Sequence, residues 1–241
     1  MKPLLLDLFC GAGGAAMGYS RAGFEVIGCD VNPQPRYPFR MWQKSVLDLF
    51  FWEGGCEGLP FVAIHASPPC QAYNQLSTDG HPRLIEPVRE LLEATGLPYV
   101  IENIPAAPLR GPAILCGSSF GLGVRRHRAF ETNWPLMSPP CAHGAQASNP
   151  HRMRAGYEPP ANAIVPVYGG GQAGFTIDAC RKAMGIDWMM TGELNEAIPP
   201  AYTEMIGHQL IAHVSRASGE AKIPRPPTAD AESSQTIGGV S

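Results

Sequence analysis

From Leu4 to Asp30 the chain spells out a single unit: an apolar run, a glycine turn, a helical pattern and a second apolar run. Leu4 to Phe9 is the first strand. Gly11-Ala12-Gly13-Gly14 follows at once, Ala15 to Arg21 carries a helical pattern, and Gly23 supplies a C-cap residue. Phe24 to Cys29 is the second strand, closed by Asp30. Strands joined through a helix lie parallel, and parallel sheets are covered by helices.

The first half of the chain continues this alternation. Phe61 to Ala66 is a strand that stops at Ser67-Pro68-Pro69-Cys70-Gln71. Leu84, Ile85, Val88, Leu91 and Leu92 follow helical spacing, with Pro87 tolerable only in a first turn. Tyr99 to Ile101 is a strand running into Glu102-Asn103, and Ser45 to Trp52 holds a short strand or a turn around Asp48. The pattern predicts a doubly wound, Rossmann-like α/β fold with a mixed, mostly parallel sheet.

After Arg128 the texture changes. Residues 131–175 hold seven prolines and six glycines with little periodicity, which reads as a loop-rich insert forming a small second lobe. Thr176 to Met184 reads as a helix stopped by Gly185, and Pro199 to about Arg216 as a last helix. The domain reading is therefore 1–130 plus 176–216 as the main domain, 131–175 as an insert, and 217–241 as a disordered tail.

A net charge of −3 excludes a polycation, so any nucleic-acid contact needs a local basic face. Seven irregularly spaced cysteines argue against a disulfide framework and for a reducing, cytoplasmic setting. No apolar run approaches the roughly 20 residues of a membrane helix, so no membrane partner is expected.

Two features carry chemistry. The glycine turn after a strand lets a ligand approach the backbone at a helix N-terminus. Asp30, at the end of the next strand, is placed to accept hydrogen bonds from ribose hydroxyls, although Gly11, Gly13 and Gly14 fit the dinucleotide spacing poorly. Cys70 falls at a strand's carboxyl end, where open α/β sheets bind ligands. On its own, a buried cysteine is more often inert packing than a nucleophile.

The order of motifs decides more. Asp7-Leu8-Phe9-Cys10-Gly11-Ala12-Gly13-Gly14, Ser67-Pro68-Pro69-Cys70-Gln71, Glu102-Asn103-Ile104, Arg126-His127-Arg128 and Ala197-Ile198-Pro199-Pro200 closely resemble, in sequence order, the DNA (cytosine-5) methyltransferase family. The resemblance runs from Asp7 to Gly207 and implies the fold of S-adenosylmethionine-dependent methyltransferases. It implies methyl transfer to cytosine carbon 5 in double-stranded DNA by a monomer in a bacterial or viral host cytoplasm.

By that resemblance Cys70 is the nucleophile that adds to cytosine carbon 6, and Glu102 serves ring nitrogen 3. Arg128 orients the carbonyl oxygen of the base, and Arg126 or Arg125 meets a phosphate or helps in catalysis. The cofactor would contact Phe9, Cys10, Gly11, Ala12, Gly13, Gly14, Asp30, Val31, Pro68, Ala197 and Ile198, with Asp48 beside the adenine amine. Gln71 and Tyr73 open a loop that closes over the flipped base. Arg125, Arg152 and Arg154 are the expected DNA contacts. Arg36, Arg40 and Lys44 either join them in one basic cleft or are scattered solvated charge.

This chain departs from the pattern in two places. Val124 stands where the family has Gln, and Asn195-Glu196 stands where it has Gly-Asn. The insert sits at the family's target recognition region but is short, which points to a recognition sequence of about two to four base pairs, with Trp134, Tyr157 and Tyr168 as candidate contacts. Cys141, His143 and His151 match no common zinc spacing, and no metal is expected. A member of the wider family methylates transfer RNA, so RNA is the alternative substrate, and an inactive DNA-binding member is the other.

Overall fold

A computed structural model describes residues 2–51, 58–73, 80–147, 163–168 and 175–220. Seven strands form one sheet: β1 (Leu4–Leu8), β2 (Glu25–Asp30), β3 (Arg40–Gln43), β4 (Phe61–Ala66), β5 (Tyr99–Asn103), β6 (Ala113–Leu115) and β7 (Arg128–Thr132). Their spatial order is β3-β2-β1-β4-β5-β7-β6. β1 to β5 run parallel, and β7 runs antiparallel to both β5 and β6. The strand order reverses between β1 and β4, and in open α/β sheets ligands bind at such a switch point, outside the carboxyl ends.

Among the described residues, six helices accompany the sheet: α1 (Gly14–Ala22), α2 (Val46–Phe51), α3 (Ile85–Thr95), α4 (Ile177–Met184), α5 (Thr191–Glu196) and α6 (Pro200–Glu220). Among the described residues, no helix is long and apolar enough to cross a membrane. Strand residues alternate between the two faces. Leu5, Val26, Val100 and Phe130 pack with Tyr19, Tyr202, Ile206 and Leu210 on one face. Leu6, Leu8, Ile27, Ile64 and Ile101 pack with Val88 and Leu92 of α3 on the other.

α1 and α6 approach closely because glycines remove the side chains between them. A Cβ on Gly18 would stand 2.1 Å from Thr203 Oγ1, and one on Gly207 would stand 2.6 Å from Ala22 Cβ. The Thr203 hydroxyl donates to the Ala15 carbonyl at 2.8 Å.

Several expectations change. The segment around Asp48 is helix α2, neither strand nor turn. The last helix continues to Glu220, past Arg216. The first residues of the expected insert belong to β7, where Glu131 is buried and pairs with Arg89 of α3. Trp134 is buried in the main core and stacks on His213, so it is not an exposed base contact. Val165 and Val167 of the insert join Cys180, Ala183, Met184 and Leu194 in a third apolar cluster.

Candidate active site

The turn after β1 is forced by its backbone. Phe9 (φ 57°), Gly11 (φ 47°) and Gly13 (φ 85°) all occupy the left-handed region, which is unusual for a bulky residue such as Phe9. Asp30 holds the turn from the next strand. Its carboxylate accepts the Gly11 N–H at 3.1 Å and the Asn32 N–H at 2.9 Å. Gly14 begins α1 where a Cβ would stand 2.4 Å from the Ile198 carbonyl oxygen. Glycine at this position therefore seats the Ala197–Ile198 segment against the turn. The Trp188 indole N–H, which donates to the Ala12 carbonyl at 2.8 Å, fastens the same closure.

A cavity of about 460 Å³ opens at the carboxyl ends of β1, β2, β4 and β5. Phe9, Cys10, Gly11, Ala12, Gly14, Asp30, Val31, Pro68, Ala197 and Ile198 line it, as do Cys70, Gln71, Glu102 and Arg128. The structure thus brings most of the expected cofactor positions and three of the four expected catalytic residues to one space. Gly13 is not in the lining; a Cβ there would meet Pro38 and Tyr37. Asp48 is exposed on α2 and outside the lining.

Cys70 follows β4 on a rigid lead. Asn103, at the end of β5, donates its amide to the Pro68 carbonyl at 2.9 Å, and the Ser67 N–H donates to Leu8 at 3.1 Å. The Cys70 thiol is pushed up chiefly by burial; Arg128 opposes the shift, while Glu102 and Glu196 add to it. Glu102 is also pushed up by burial, against Arg128, a Ser67 hydrogen bond and Arg126. Arg128 reaches Glu102 because β7 lies antiparallel beside β5, and its Nε stands 3.2 Å from Oε1. A carboxyl group whose hold on its proton is strengthened by burial is suited to giving a proton or a strong hydrogen bond to a base placed in the cavity.

Arg126 is not among the lining residues. Its guanidinium donates to the carbonyls of Val167 at 2.8 Å and Asn195 at 2.6 Å, fastening the segment that leads to Ala197. Burial and the charge of Arg128 draw it down to about 9, so it stays charged at neutral pH. Tyr202 donates to the Arg126 carbonyl at 2.7 Å. Cys10 lines the cavity, but burial and Asp7 push its thiol far up, which suits packing or contact with a ligand and not a second nucleophile.

The expected nucleic-acid contacts are only partly described. Gln71 lines the cavity, and its buried Oε1 has no hydrogen-bond partner among the described residues. The Tyr73 hydroxyl accepts the Ile85 N–H at the start of α3. Arg125 donates to Gln146 at 3.2 Å, and Arg36 pairs with Glu193 at 3.1 Å. Tyr168 is exposed. Arg152, Arg154, Tyr157, His151 and residues 74–79 of the loop after Cys70 lie outside the described residues.

Sequence reasoning missed a buried chain behind Glu102. Tyr19 Oη lies 3.0 Å from His65 Nδ1, and His65 Nε2 lies 2.8 Å from Ser67 Oγ. Burial draws His65 down to about 3, so the imidazole is neutral. The only signal in the sequence was a histidine inside an otherwise apolar strand. Asp7 carries no signal of its own beyond the β1 motif. It lines the cavity with its carboxyl fully buried; neither oxygen makes a well-formed hydrogen bond among the described residues, and burial raises it to about 8 against the opposing pull of the nearby Tyr37 hydroxyl.

No family model and no curated protein matches the chain. Solved structures do resemble it. One is a protein described as a DNA modification methyltransferase encoded within a prophage, from E. coli (TM-score 0.62, 14% identity). The Dnmt2 methyltransferase of S. pombe (0.60, 12%) and the Entamoeba histolytica methyltransferase EhMeth (0.57, 14%) are also similar. Each alignment covers 89% of this chain and 99% of the other. At these identities the likeness shows the fold: a seven-stranded, mixed, mostly parallel sheet shared with methyltransferases.

Proposed function

We propose that this chain transfers a methyl group from S-adenosylmethionine to carbon 5 of cytosine in DNA. The observation that carries the proposal is the joint placement of Cys70, Glu102 and Arg128 in the same cavity as the glycine turn and Asp30. The residues present fit the cofactor. The cavity falls within the roughly 300–1,000 Å³ of small-molecule sites, the left-handed turn at Phe9–Gly13 exposes backbone at the head of α1, and Asp30 offers a carboxylate beside it. When bound, the cofactor supplies an electrophilic methyl group.

The residues divide the remaining work. The Cys70 thiolate adds to cytosine carbon 6, which makes the ring an enamine nucleophilic at carbon 5. Glu102 supplies the proton or hydrogen bond that ring nitrogen 3 needs as electron density enters the ring, and Arg128 orients the base and holds Glu102. After methyl transfer, water takes the carbon 5 proton, the freed electron pair re-forms the 5,6 double bond as the carbon 6–sulfur bond breaks, Cys70 leaves as the thiolate, and ring nitrogen 3 returns its proton to Glu102. Arg126 keeps the Asn195–Ile198 wall in place. The base must leave a duplex to reach Cys70. No disulfide joins the described cysteines, which suits a nucleophilic thiol in a reducing cytoplasm.

The test is covalent trapping. Protein, cofactor and 5-fluorocytosine-containing DNA should give an adduct that Cys70→Ala abolishes, and bisulfite sequencing of plasmid from expressing cells should report the methylated context. An adduct with RNA alone would replace DNA by RNA as substrate. No adduct with either, from folded protein that binds S-adenosylhomocysteine, would make the chain a binding module.

A further inference from the structure

Away from the cavity lining, two cysteines and two histidines converge. Cys116 follows β6 directly, and His127 precedes β7 directly, one step beyond the last ladder pair, Leu115 with Arg128. Cys141 and His143 come from the loop after β7, with one residue between them. One ligand atom from each of the four lies within 4.8 Å of the other three. Cys116 Sγ is 3.3 Å from His143 Nε2, and Cys141 Sγ is 3.4 Å from His127 Nε2. The two imidazoles meet edge-on, with planes 88° apart and centroids 5.2 Å apart.

We propose that Cys116, His127, Cys141 and His143 form a structural zinc site. Zinc takes sulfur ligands at about 2.3 Å and imidazole nitrogens at about 2.0–2.1 Å, so the edges of its tetrahedron are roughly 3.4–3.8 Å. The two sulfur–nitrogen separations, 3.3 and 3.4 Å, already lie at the short end of that range. Two thiolates and two neutral imidazoles are a donor set that suits zinc over the oxygen-seeking cations. All four positions are filled by protein, which makes the site closed and structural, with no vertex left for a substrate.

The surroundings hold the sulfurs in place. Ser118 Oγ lies 3.1 Å from Cys116 Sγ and accepts the Ala142 N–H at 3.0 Å, so one hydroxyl links two arms of the cluster. The Gly117 N–H donates to the Arg125 carbonyl at 3.2 Å, which keeps the β6–β7 connection narrow. A disulfide between Cys116 and Cys141 would explain the two sulfurs but not the two imidazoles aimed at the same point. His127 lies between Arg126, which holds the Asn195 carbonyl, and Arg128, which holds Glu102. The ion would therefore anchor the backbone from which both arginines project.

The test does not depend on catalysis. Full-length protein purified under reductant from zinc-supplemented cells should carry close to one zinc per chain by elemental mass spectrometry. After chelator stripping, added cobalt(II) should give thiolate-to-cobalt charge-transfer bands and the intense d–d bands of a tetrahedral site. Cys141→Ser and His143→Ala, checked for folding by circular dichroism, should each weaken cobalt binding by at least about a hundredfold, beyond the loss typical of an outer-shell change. Cys180→Ala, a buried cysteine outside the cluster, should bind as the parent does. Folded, reduced protein that holds no zinc and gives no tetrahedral cobalt spectrum would overturn the proposal. So would ligand variants that bind like the parent, or a Cys116–Cys141 disulfide in freshly purified protein.

Discussion

Arg128 Nε stands 3.2 Å from Glu102 Oε1, yet the carboxyl of Glu102 is still held above the ordinary carboxylate range. Burial outweighs the ion pair. The pairing therefore tempers the acid without abolishing it, and the same guanidinium also moderates the Cys70 thiol.

Removing Arg128 should expose both effects. In Arg128→Ala, Cys70 and Glu102 lose the charge that opposes burial, so both rise further. Each unit of rise costs about tenfold in thiolate at a fixed neutral pH. The midpoint of Cys70 alkylation by iodoacetamide, followed by peptide mass spectrometry against pH, should move up. An unmoved midpoint would separate Arg128 from Cys70.

Glu102→Gln keeps the side chain's shape and removes its proton. Methyl transfer should fall by about 10²–10⁴-fold, the usual weight of a general acid–base group, while calorimetric binding of S-adenosylhomocysteine stays at the parent value. Equal losses in both would assign Glu102 to the cofactor.

Asp7 makes stability depend on pH. Its folded-state value of about 8 lies above the ordinary 3.8, so the folded state holds a proton that the unfolded chain gives up. The stability this contributes is fully present below about 3.8 and is lost as pH rises toward 8, at up to about 1.4 kcal/mol per pH unit. His65, drawn down to about 3, acts in the opposite sense below its ordinary 6.5, so Asp7 is read between 6.5 and 8; Glu102, also raised by burial, acts in the same sense as Asp7 and is untouched by the substitution. Asp7→Asn should flatten the fall in melting temperature across that window; an unchanged slope would relieve Asp7 of the role.

The buried pair of Arg89 and Glu131 offers a different stability test. Arg89 Nε and Nη2 reach Glu131 at 2.7 and 2.9 Å, and Arg89 also donates to the Pro108 carbonyl at 3.0 Å. The Arg110 N–H adds a third bond to Glu131, and Arg89 also pairs with Glu86. Arg89→Met should cost about 3–5 kcal/mol in urea unfolding because it strands a buried carboxylate. Arg89→Met with Glu131→Leu should recover much of that loss, and a double variant no better than the single would show that the pair is not the source.

The contact of Gly14 with Ile198 tests the closure of the cavity. A Cβ at Gly14 must displace the Ile198 carbonyl, and overpacking of this kind costs about 1–3 kcal/mol. Gly14→Ala should therefore bind S-adenosylhomocysteine roughly ten- to a hundredfold more weakly by calorimetry, with Cys70 alkylation unchanged. Parent-like affinity would show that the segment is free to move.

The elements that the sequence announced are those whose burial is one-sided or complete. β1, β2, β4 and β5 read as apolar runs, and α1, α3 and α4 carry both period and terminal glycines. β7 stayed hidden because Arg128 and Glu131 look like surface charge; each is spent on a partner far away in sequence, Glu102 and Arg89. β3 and β6 are four and three residues long, too short for alternation to register. The site was legible where motifs are local, as at the glycine turn and Cys70. It was not legible where the partners come from separate loops, as with Cys116 and His127 beside Cys141 and His143, because no spacing rule links positions set by sheet register.

The seating of α6 on α1 sets an order of events during synthesis. Thr203 bonds to Ala15 across 188 residues, and Ile198 closes on Gly14 from the same distant stretch of chain. At about 5–20 residues per second, the first helix leaves the ribosome roughly ten to forty seconds before its cover. Through that interval Tyr19 and the apolar face of the early strands have no lid. A nascent chain stalled before Pro200 should thus be a substrate for chaperones, and the cavity at the strand ends should form only as one of the last steps of folding.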